Sequence, residues 1–176
     1  MKMFETKDYF GYVEYADRIR KMIHPYVEKC LEEGIFHDLD AMPILFMFRH
    51  CLELYIKGLN YQLKKMGEAS YTPNHKHDIL IPFSELLKNK RIRRDSTIEE
   101  FVRQIGTLDK DGQKFRYPED KTGKIFEESI KFSQEIKKSD NTTLEMILKT
   151  LDYFENVSGD LEYLEYTKYM EHDSDP

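Results

Sequence analysis

Three charged residues in the middle of the chain follow one another at four-residue steps. Arg49, Glu53 and Lys57 alternate in sign, and His50 comes directly after the first of them. Because residues four apart lie on the same face of an α-helix, their side chains are predicted to form one line of ion pairs along that face. Two interpretations stay open from the pattern alone: a structural network, or one wall of a groove that binds an anionic group.

His77 and Arg116, further along the chain, add an imidazole and a guanidinium that could complete such a groove. Cleaving RNA without a metal ion requires a base for the 2′-hydroxyl, an acid for the departing oxygen and a cation for the phosphorane charge. The candidates for catalysis are Arg49, His50 and His77, and the candidates for binding the phosphate or holding its ligands in place are Lys57, Arg116 and Glu53. The structural alternative for His77 is packing beside a helix cap at Asp78, and for Arg116 it is an ion pair with Glu119 or Asp120.

A long apolar helix is predicted to carry this charged line. From Pro43 to Met66, apolar residues recur at three- and four-residue steps, which is the period of a helix that is buried on most of its surface. Pro43 suits a first helical turn, and Gly67 suits the stop after the last turn. We therefore predict that this helix is the central member of a mainly α helical bundle.

The remaining elements follow from caps, turn residues and periodicity. Further helices are predicted over Asp8–Glu33, over Ile79–Leu87 behind an Asp78 cap, after a capping box of Ser96 and Glu99, and from Leu144 to Val157, with a break at Gly159 before one more helical stretch. Phe115–Pro118 and Ile130–Ile136 are predicted to pair as a small β-hairpin on the helical body. The basic run Lys88–Asp95 is either a solvated loop or a phosphate-facing lip next to the loop that ends in His77.

Length and composition predict one domain over all 176 residues, with a disordered tail from about His172 to Pro176. The net charge of −6 argues against wrapping duplex nucleic acid and leaves room only for a local basic groove. Since no apolar run is long enough for a signal peptide or a membrane span, we expect a cytoplasmic protein with no membrane partner. Cys30 and Cys51 fall on apolar helix positions and are expected to be buried thiols, and no residue pattern predicts a metal ion or another cofactor.

The segment from Pro43 to Leu87 resembles the core of the HEPN superfamily. It contains a buried helix that ends at Gly67, a short polar loop, and the sequence HDILIPFSELL, which begins at His77. The segment FRYPEDKTG, Phe115–Gly123, is similar to one in uncharacterised bacterial proteins of this type. HEPN domains are small helical bundles of prokaryotic toxin, defence and RNA-processing systems, and they commonly pair as dimers. Many are metal-independent ribonucleases, and others bind nucleotides or protein partners.

This resemblance implies a HEPN-like homodimer of a defence or toxin–antitoxin system that binds RNA or a nucleotide. If the protein is an enzyme, the resemblance implies a metal-independent endoribonuclease. The alternative is a non-catalytic helical module that dimerises or binds another protein. The ribonucleases of the family carry an arginine followed, after a short spacer, by a histidine late in the bundle. The literal match here runs from Arg18 to His24 in the first helix, where we interpret it as a chance match.

Overall fold

A computed structural model of the protein describes residues 9–34, 38–72, 77–116 and 142–172. Within these ranges the chain forms five helices: α1 (Tyr9–Glu33), α2 (Asp38–Lys65), α3 (Leu80–Leu86), α4 (Ser96–Leu108) and α5 (Thr142–His172). No β-strand occurs in the described ranges. The prediction of a mainly α helical bundle is confirmed.

Helix α2 is the centre of the fold. It packs against α1, α3 and α5, and its Phe48 also meets Phe101 of α4 with the ring centroids 5.8 Å apart. Nearly all residues of the predicted apolar pattern are buried, and Leu45, Leu52 and Leu59 are completely enclosed. Burying each side chain of this size stabilises the fold by about 1.5–3 kcal/mol. The prediction that this helix is the central member of the bundle is confirmed.

The first residue of α2 differs from the prediction. The helix begins at Asp38, so Pro43 lies inside it rather than in its opening turn. A proline inside a helix removes one backbone hydrogen bond. Ala41 and Ile44, on either side of Pro43, are buried, and their burial outweighs that loss.

The predicted stop at Gly67 is confirmed. Gly67 has a φ of 73°, a left-handed conformation that only glycine adopts without strain. Its N–H donates to the carbonyl oxygen of Lys64 at 3.0 Å, and the N–H of Glu68 donates to that of Leu63 at 2.9 Å. These two bonds form a Schellman motif, which satisfies carbonyls that the end of α2 would otherwise leave free.

The start of α3 holds the backbone directly after His77. The helix begins at Leu80 with Ile79 as its N-cap, one residue later than predicted. Asp78 still satisfies a free amide there, because its Oδ1 accepts a hydrogen bond from the N–H of Leu80 at 2.8 Å. His77 is therefore held at the entrance to a capped helix.

The predicted capping box at the start of α4 is wrong. Ser96 is the first helical residue, and Asp95 before it is the N-cap, accepting hydrogen bonds from two N–H groups of the first turn at 3.0 and 3.1 Å. Glu99 does not reach back to the cap and instead forms an ion pair with Arg94. Aspartate and serine are equally good N-caps, so two neighbouring candidates could not be separated from the sequence.

Helix α5 is continuous from Thr142 to His172, and the predicted break at Gly159 is wrong. A glycine inside a helix costs about 1 kcal/mol relative to alanine. Val157 and Leu161, on either side of this glycine, are both buried, which outweighs that cost. Of the predicted disordered tail, residues 173–176 lie outside the described residues.

The predicted β-hairpin also lies almost wholly outside the described residues. Its described part is Phe115 and Arg116, which belong to a turn in which the N–H of Arg116 donates to the carbonyl oxygen of Gln113 at 3.1 Å. Phe115 is buried in the core, so this turn is anchored to the bundle.

None of the described helices combines the length and the apolar character needed to cross a lipid bilayer.

Candidate functional site

The carboxylate of Glu53 is the hub of the charged line on α2. Its Oε1 accepts a hydrogen bond from Lys57 Nζ at 2.7 Å, and its Oε2 accepts one from Arg49 Nη1 at 2.9 Å. His77 Nδ1 approaches the same carboxylate, 3.2 Å from Oε1 and 3.4 Å from Oε2. The side chain of Glu53 is only 7% exposed, so a single buried carboxylate contacts three basic groups.

Glu53 keeps its negative charge despite this burial. Burial alone raises the pKa of the carboxyl, but the hydrogen bonds and positive charges of Lys57 and Arg49 outweigh it, so the pKa lies below its ordinary value. A carboxylate accepts hydrogen bonds and cannot donate them. The proton of a neutral His77 is therefore placed on Nδ1, facing Glu53, and Nε2 carries the free lone pair.

Arg49 fastens two distant segments to α2. It is only 2% exposed, and besides its bond to Glu53 it donates from Nε to the carbonyl oxygen of Asp109 at 3.1 Å and from Nη2 to the carbonyl oxygen of His77. All three nitrogens of the guanidinium thus donate to protein acceptors. A phosphate in solvent could reach this group only by displacing them.

Lys57 is buried as well and has its ion pair with Glu53. The charged line predicted from the spacing is therefore present as a buried network. Removal of one partner from such a network strongly destabilises the fold, because it leaves an uncompensated charge in the interior.

His77 differs from these residues because its side chain is 55% exposed. No partner for its Nε2 lies among the described residues. The exposed part of the ring is therefore accessible to solvent or a ligand, while Glu53 holds Nδ1. An imidazole oriented by a carboxylate is an arrangement suited to acid–base chemistry.

A tight turn after α4 packs directly on His77. Gly112 in this turn has a φ of 71°, and a Cβ at this position would lie 3.2 Å from His77 Cβ and 3.6 Å from Arg49 Nη2. The backbone conformation favours glycine here, and a Cβ would press against the side chain of His77. The turn and the candidate site are thus one packed unit.

Asp109 holds this turn from inside. Its carbonyl oxygen accepts from the N–H of Gly112 at 3.3 Å, and its Oδ1 accepts from the N–H of Lys114 at 2.8 Å. Its Oδ2 is buried and lies 4.0 Å from Arg49 Nε. This oxygen therefore has a charged neighbour but no hydrogen bond among the described residues. This residue was not predicted as part of the site.

Arg116 follows the turn and lies at the exposed rim of the site. Its guanidinium carbon is 5.0 Å from the centroid of the Phe46 ring, within the range of a cation–π contact. The Phe46 ring is in turn parallel to that of His50, with an angle of 7° and centroids 6.1 Å apart. Arg116 therefore lies beside the half-buried His50.

His50 is neutral at neutral pH. Burial lowers the pKa of its imidazole, and the nearby basic groups of Arg116, Arg49 and His77 lower it further, while Glu53 opposes them. The net pKa lies below the ordinary value for histidine. His50 thus presents an uncharged ring next to an exposed guanidinium.

The structure brings all six candidate residues into one region but divides them into two groups. Arg49, Glu53 and Lys57 are buried and bind one another, whereas His77 and Arg116 are exposed and His50 is half-buried. The three residues that the prediction missed are Phe46, Asp109 and Gly112. Only Phe46 had a signal in the sequence, since it precedes His50 by one helical turn.

The Arg18 to His24 match does not form a site. Arg18 is exposed and pairs with Glu14, whereas His24 points to the contact between α1 and α5. There His24 Nε2 lies 3.0 Å from Asp152 Oδ1 and Nδ1 lies 3.3 Å from Glu28 Oε2. The two side chains of the match therefore have different partners on different sides of α1, as expected for a chance match.

No hydrogen bond or ion pair joins the basic run Lys88–Asp95 to His77 among the described residues. The run precedes α4, whereas the turn that packs on His77 follows α4, and a helix of this length spans roughly 20 Å. Several of its charges are also paired, with Lys88 Nζ 2.6 Å from Glu85 and Arg91 Nη2 3.5 Å from Glu68. The interpretation of this run as a lip of the His77 site is not supported.

Comparison of the chain with models of protein families, with curated protein sequences and with solved structures gives no match. A relation to the HEPN superfamily therefore stays a prediction from the segments described above.

Proposed function

We propose that this chain is a HEPN-like protein of a defence or toxin-type system that binds RNA at the His77 site and cleaves it without a metal ion. The observation that carries the proposal is the state of His77. Its exposed ring is oriented through Nδ1 by the buried carboxylate of Glu53, and both His77 and the exposed Arg116 lie close enough to His50 to lower its pKa. The reaction requires a base that is held in one orientation and a cation that can bind the phosphate.

In the proposed reaction His77 Nε2 removes the proton from a ribose 2′-hydroxyl. The 2′ oxygen then bonds to the adjacent phosphorus, the bond from phosphorus to the 5′ oxygen breaks, and that oxygen receives the proton. The products are a 2′,3′-cyclic phosphate and a 5′-hydroxyl. Glu53 stabilises the positive charge that His77 carries between the two proton transfers. Arg116 stabilises the negative charge that develops on the phosphoryl oxygens.

Arg49 and Lys57 have a supporting role in this proposal. Their side chains are buried, and they hold Glu53 from both sides. Arg49 in addition binds the carbonyl oxygen of His77 itself and so fixes the backbone that carries the base. We therefore assign phosphate binding to Arg116, and we assign the positioning of Glu53 and His77 to Arg49 and Lys57.

A second candidate is the non-catalytic module that dimerises or binds another protein. It is favoured by the exposed aromatic and apolar side chains on the last turns of α5, which are Tyr163, Tyr166, Tyr169 and Met170. Exposed clusters of this kind are typical of interaction surfaces. Sedimentation over a wide range of concentration tests this candidate, since a persistent monomer would contradict the dimer.

The substitution His77→Asn tests the catalytic proposal directly. Its amide N–H₂ group replaces Nδ1–H as the donor to Glu53, but nothing replaces Nε2. Cleavage of single-stranded RNA in the presence of EDTA should fall by about 10² or more, while the melting temperature stays within a few degrees. Arg18→Ala, which removes an exposed arginine that pairs with Glu14, should cleave like the unmodified protein.

Two results would overturn the proposal. One is equal cleavage by the His77→Asn variant and the unmodified protein. The other is a folded, unmodified protein that cleaves none of a mixed set of RNA sequences.

A further inference from the structure

The rim of the site carries an aromatic surface that acid–base chemistry does not require. Phe46 and His50 occupy successive turns of α2, their rings are parallel, and the guanidinium of Arg116 lies over the Phe46 ring. Phe46 is partly buried and packs against the core, His50 is half-buried and Arg116 is exposed, so the three groups lie at the edge of the core with part of their surface in solvent. A flat apolar ring and a guanidinium therefore lie together at the edge of the candidate RNA site.

Unpaired nucleobases bind to surfaces of this composition. A base stacks on an aromatic ring or on the plane of an arginine, and each such contact changes affinity substantially. The neutral ring of His50 extends the apolar surface without adding a charge that would have to be desolvated. Bases inside a duplex are already stacked on each other and cannot reach such a surface without leaving the helix.

The charge of the chain points in the same direction. Binding a duplex through its phosphates needs many basic contacts, whereas this chain carries a net charge of −6 and presents Arg116 as the exposed cation beside Phe46. Stacking can supply affinity that phosphate contacts alone cannot supply here. It also needs only one unpaired nucleotide.

Resting on the function proposed above, we propose that Phe46, His50 and Arg116 form a stacking platform that selects single-stranded RNA. An unpaired base lies against the platform and places the neighbouring phosphate between Arg116 and His77 Nε2. His50 is then a specificity-determining residue, and the exposed base is the feature that distinguishes a substrate from a duplex.

Binding to RNA that cannot be cleaved separates the platform from catalysis. A short 2′-O-methyl RNA lacks the attacking hydroxyl, and its affinity for the protein is measured alone, annealed to its complement, and in competition with AMP. The unmodified protein should bind the single strand at least about tenfold more tightly than it binds the duplex or AMP. Phe46→Leu, which keeps an apolar side chain but removes the ring, should weaken binding of the single strand by about tenfold.

Conservative variants distinguish stacking from packing. Phe46→Tyr restores a ring and should recover the binding that Phe46→Leu loses. At the neighbouring position His50→Phe should bind more tightly than His50→Ala, which gives a second test if Phe46→Leu fails to fold. Melting curves of each variant show whether it is folded.

The outcomes separate this inference from the function on which it rests. If the protein binds and cleaves RNA but Phe46→Leu and His50→Ala bind like the unmodified protein, the platform is wrong and the function stands. Equal binding of duplex and single strand, or AMP binding as tight as that of the single strand, also overturns the platform. If the unmodified protein neither binds nor cleaves any RNA, the proposed function fails and the platform fails with it.

Discussion

Two clusters in this protein contain the same residue types, yet only one of them has the features of a reactive site. Between α1 and α5, Arg20 pairs with Glu155, and both ring nitrogens of His24 lie against the carboxylates of Asp152 and Glu28. Around α2, Arg49 pairs with Glu53, and a single nitrogen of His77 lies against that carboxylate. The difference lies in the second ring nitrogen, which is occupied in His24 and has no partner in His77 among the described residues.

Burial of the acidic partners also differs between the two clusters. Glu155 is 46% exposed, so water screens its ion pair with Arg20. Glu53 is almost completely buried, so its interactions with Arg49 and Lys57 are screened far less. A buried network holds a neighbouring histidine in one orientation, whereas an exposed one contributes mainly to the contact between two helices. The two clusters therefore differ in the burial of their carboxylates and in the partners of their histidine nitrogens, not in their residue types.

Glu53→Gln should have the largest effect. It leaves the buried Arg49 and Lys57 without their counter-charge, so we expect a loss of about 3–5 kcal/mol in the free energy of unfolding and loss of any RNA cleavage. The same substitution in the exposed cluster, Glu155→Gln, should cost no more than about 1 kcal/mol. Denaturant unfolding of both variants measures the difference. Equal losses would mean that burial does not separate the two networks.

Arg49→Lys should have the next largest effect. Lysine keeps the positive charge near Glu53 but lacks the planar group that reaches the carbonyl oxygens of Asp109 and His77 as well. Loss of these hydrogen bonds from a charged donor should cost about 1.5–3 kcal/mol. If Arg49 only positions His77, kcat for RNA cleavage should fall while KM changes little. A large rise in KM at constant kcat would instead point to direct binding of phosphate.

Gly112→Ala should have a smaller effect, and the chain provides a matched control. Gly112 and Gly34 both have positive φ, at 71° and 63°, but a Cβ at Gly34 meets nothing within 4 Å, whereas one at Gly112 presses on His77. The backbone strain should cost each variant about 1–2 kcal/mol. Only Gly112→Ala should also slow cleavage, because it displaces the base. Comparable cleavage by the two variants would contradict the packing of the turn on His77.

Acidification should destabilise the fold gradually. Protonation of His50 should contribute at higher pH than protonation of Glu53. The pKa values of both His50 and Glu53 are lowered in the folded state, so the unfolded chain binds more protons and the free energy of unfolding falls as the pH decreases. The contribution of His50 is complete above about pH 6.5 and is lost as the pH falls through its lower folded-state pKa, whereas that of Glu53 is lost only below about pH 4.3.

His50→Gln should therefore flatten the decline in stability just below about pH 6.5 without changing the decline at lower pH. Urea unfolding over a series of pH values measures both ranges. An unchanged slope in the variant would show that His50 is not responsible for the loss in the upper range.

Local pattern was enough to predict much of the fold. The period of apolar residues identified α2 as the buried centre, Gly67 was recognised as its stop, and the four-residue spacing predicted the pairing of Arg49, Glu53 and Lys57. These features depend on residues within one or two helical turns of each other, where helix geometry alone determines which side chains meet. The misplaced start of α2 and the predicted break at Gly159 share one cause. Both predictions weighed the local cost of proline or glycine without the burial that outweighs it.

The arrangement of the site could not be predicted in this way. Arg49 and Asp109 are 60 residues apart in sequence, and no pattern indicates that the turn at Gly112 packs on His77. Nor does sequence distinguish His24 from His77, because the carboxylates of Asp152 and Glu53 that lie against them are distant in sequence. Residue spacing determined the ion pairs along α2. Which histidine keeps a ring nitrogen without a partner in the described part of the chain was decided only when distant segments packed together, because exposure and hydrogen-bond partners are properties of that packing.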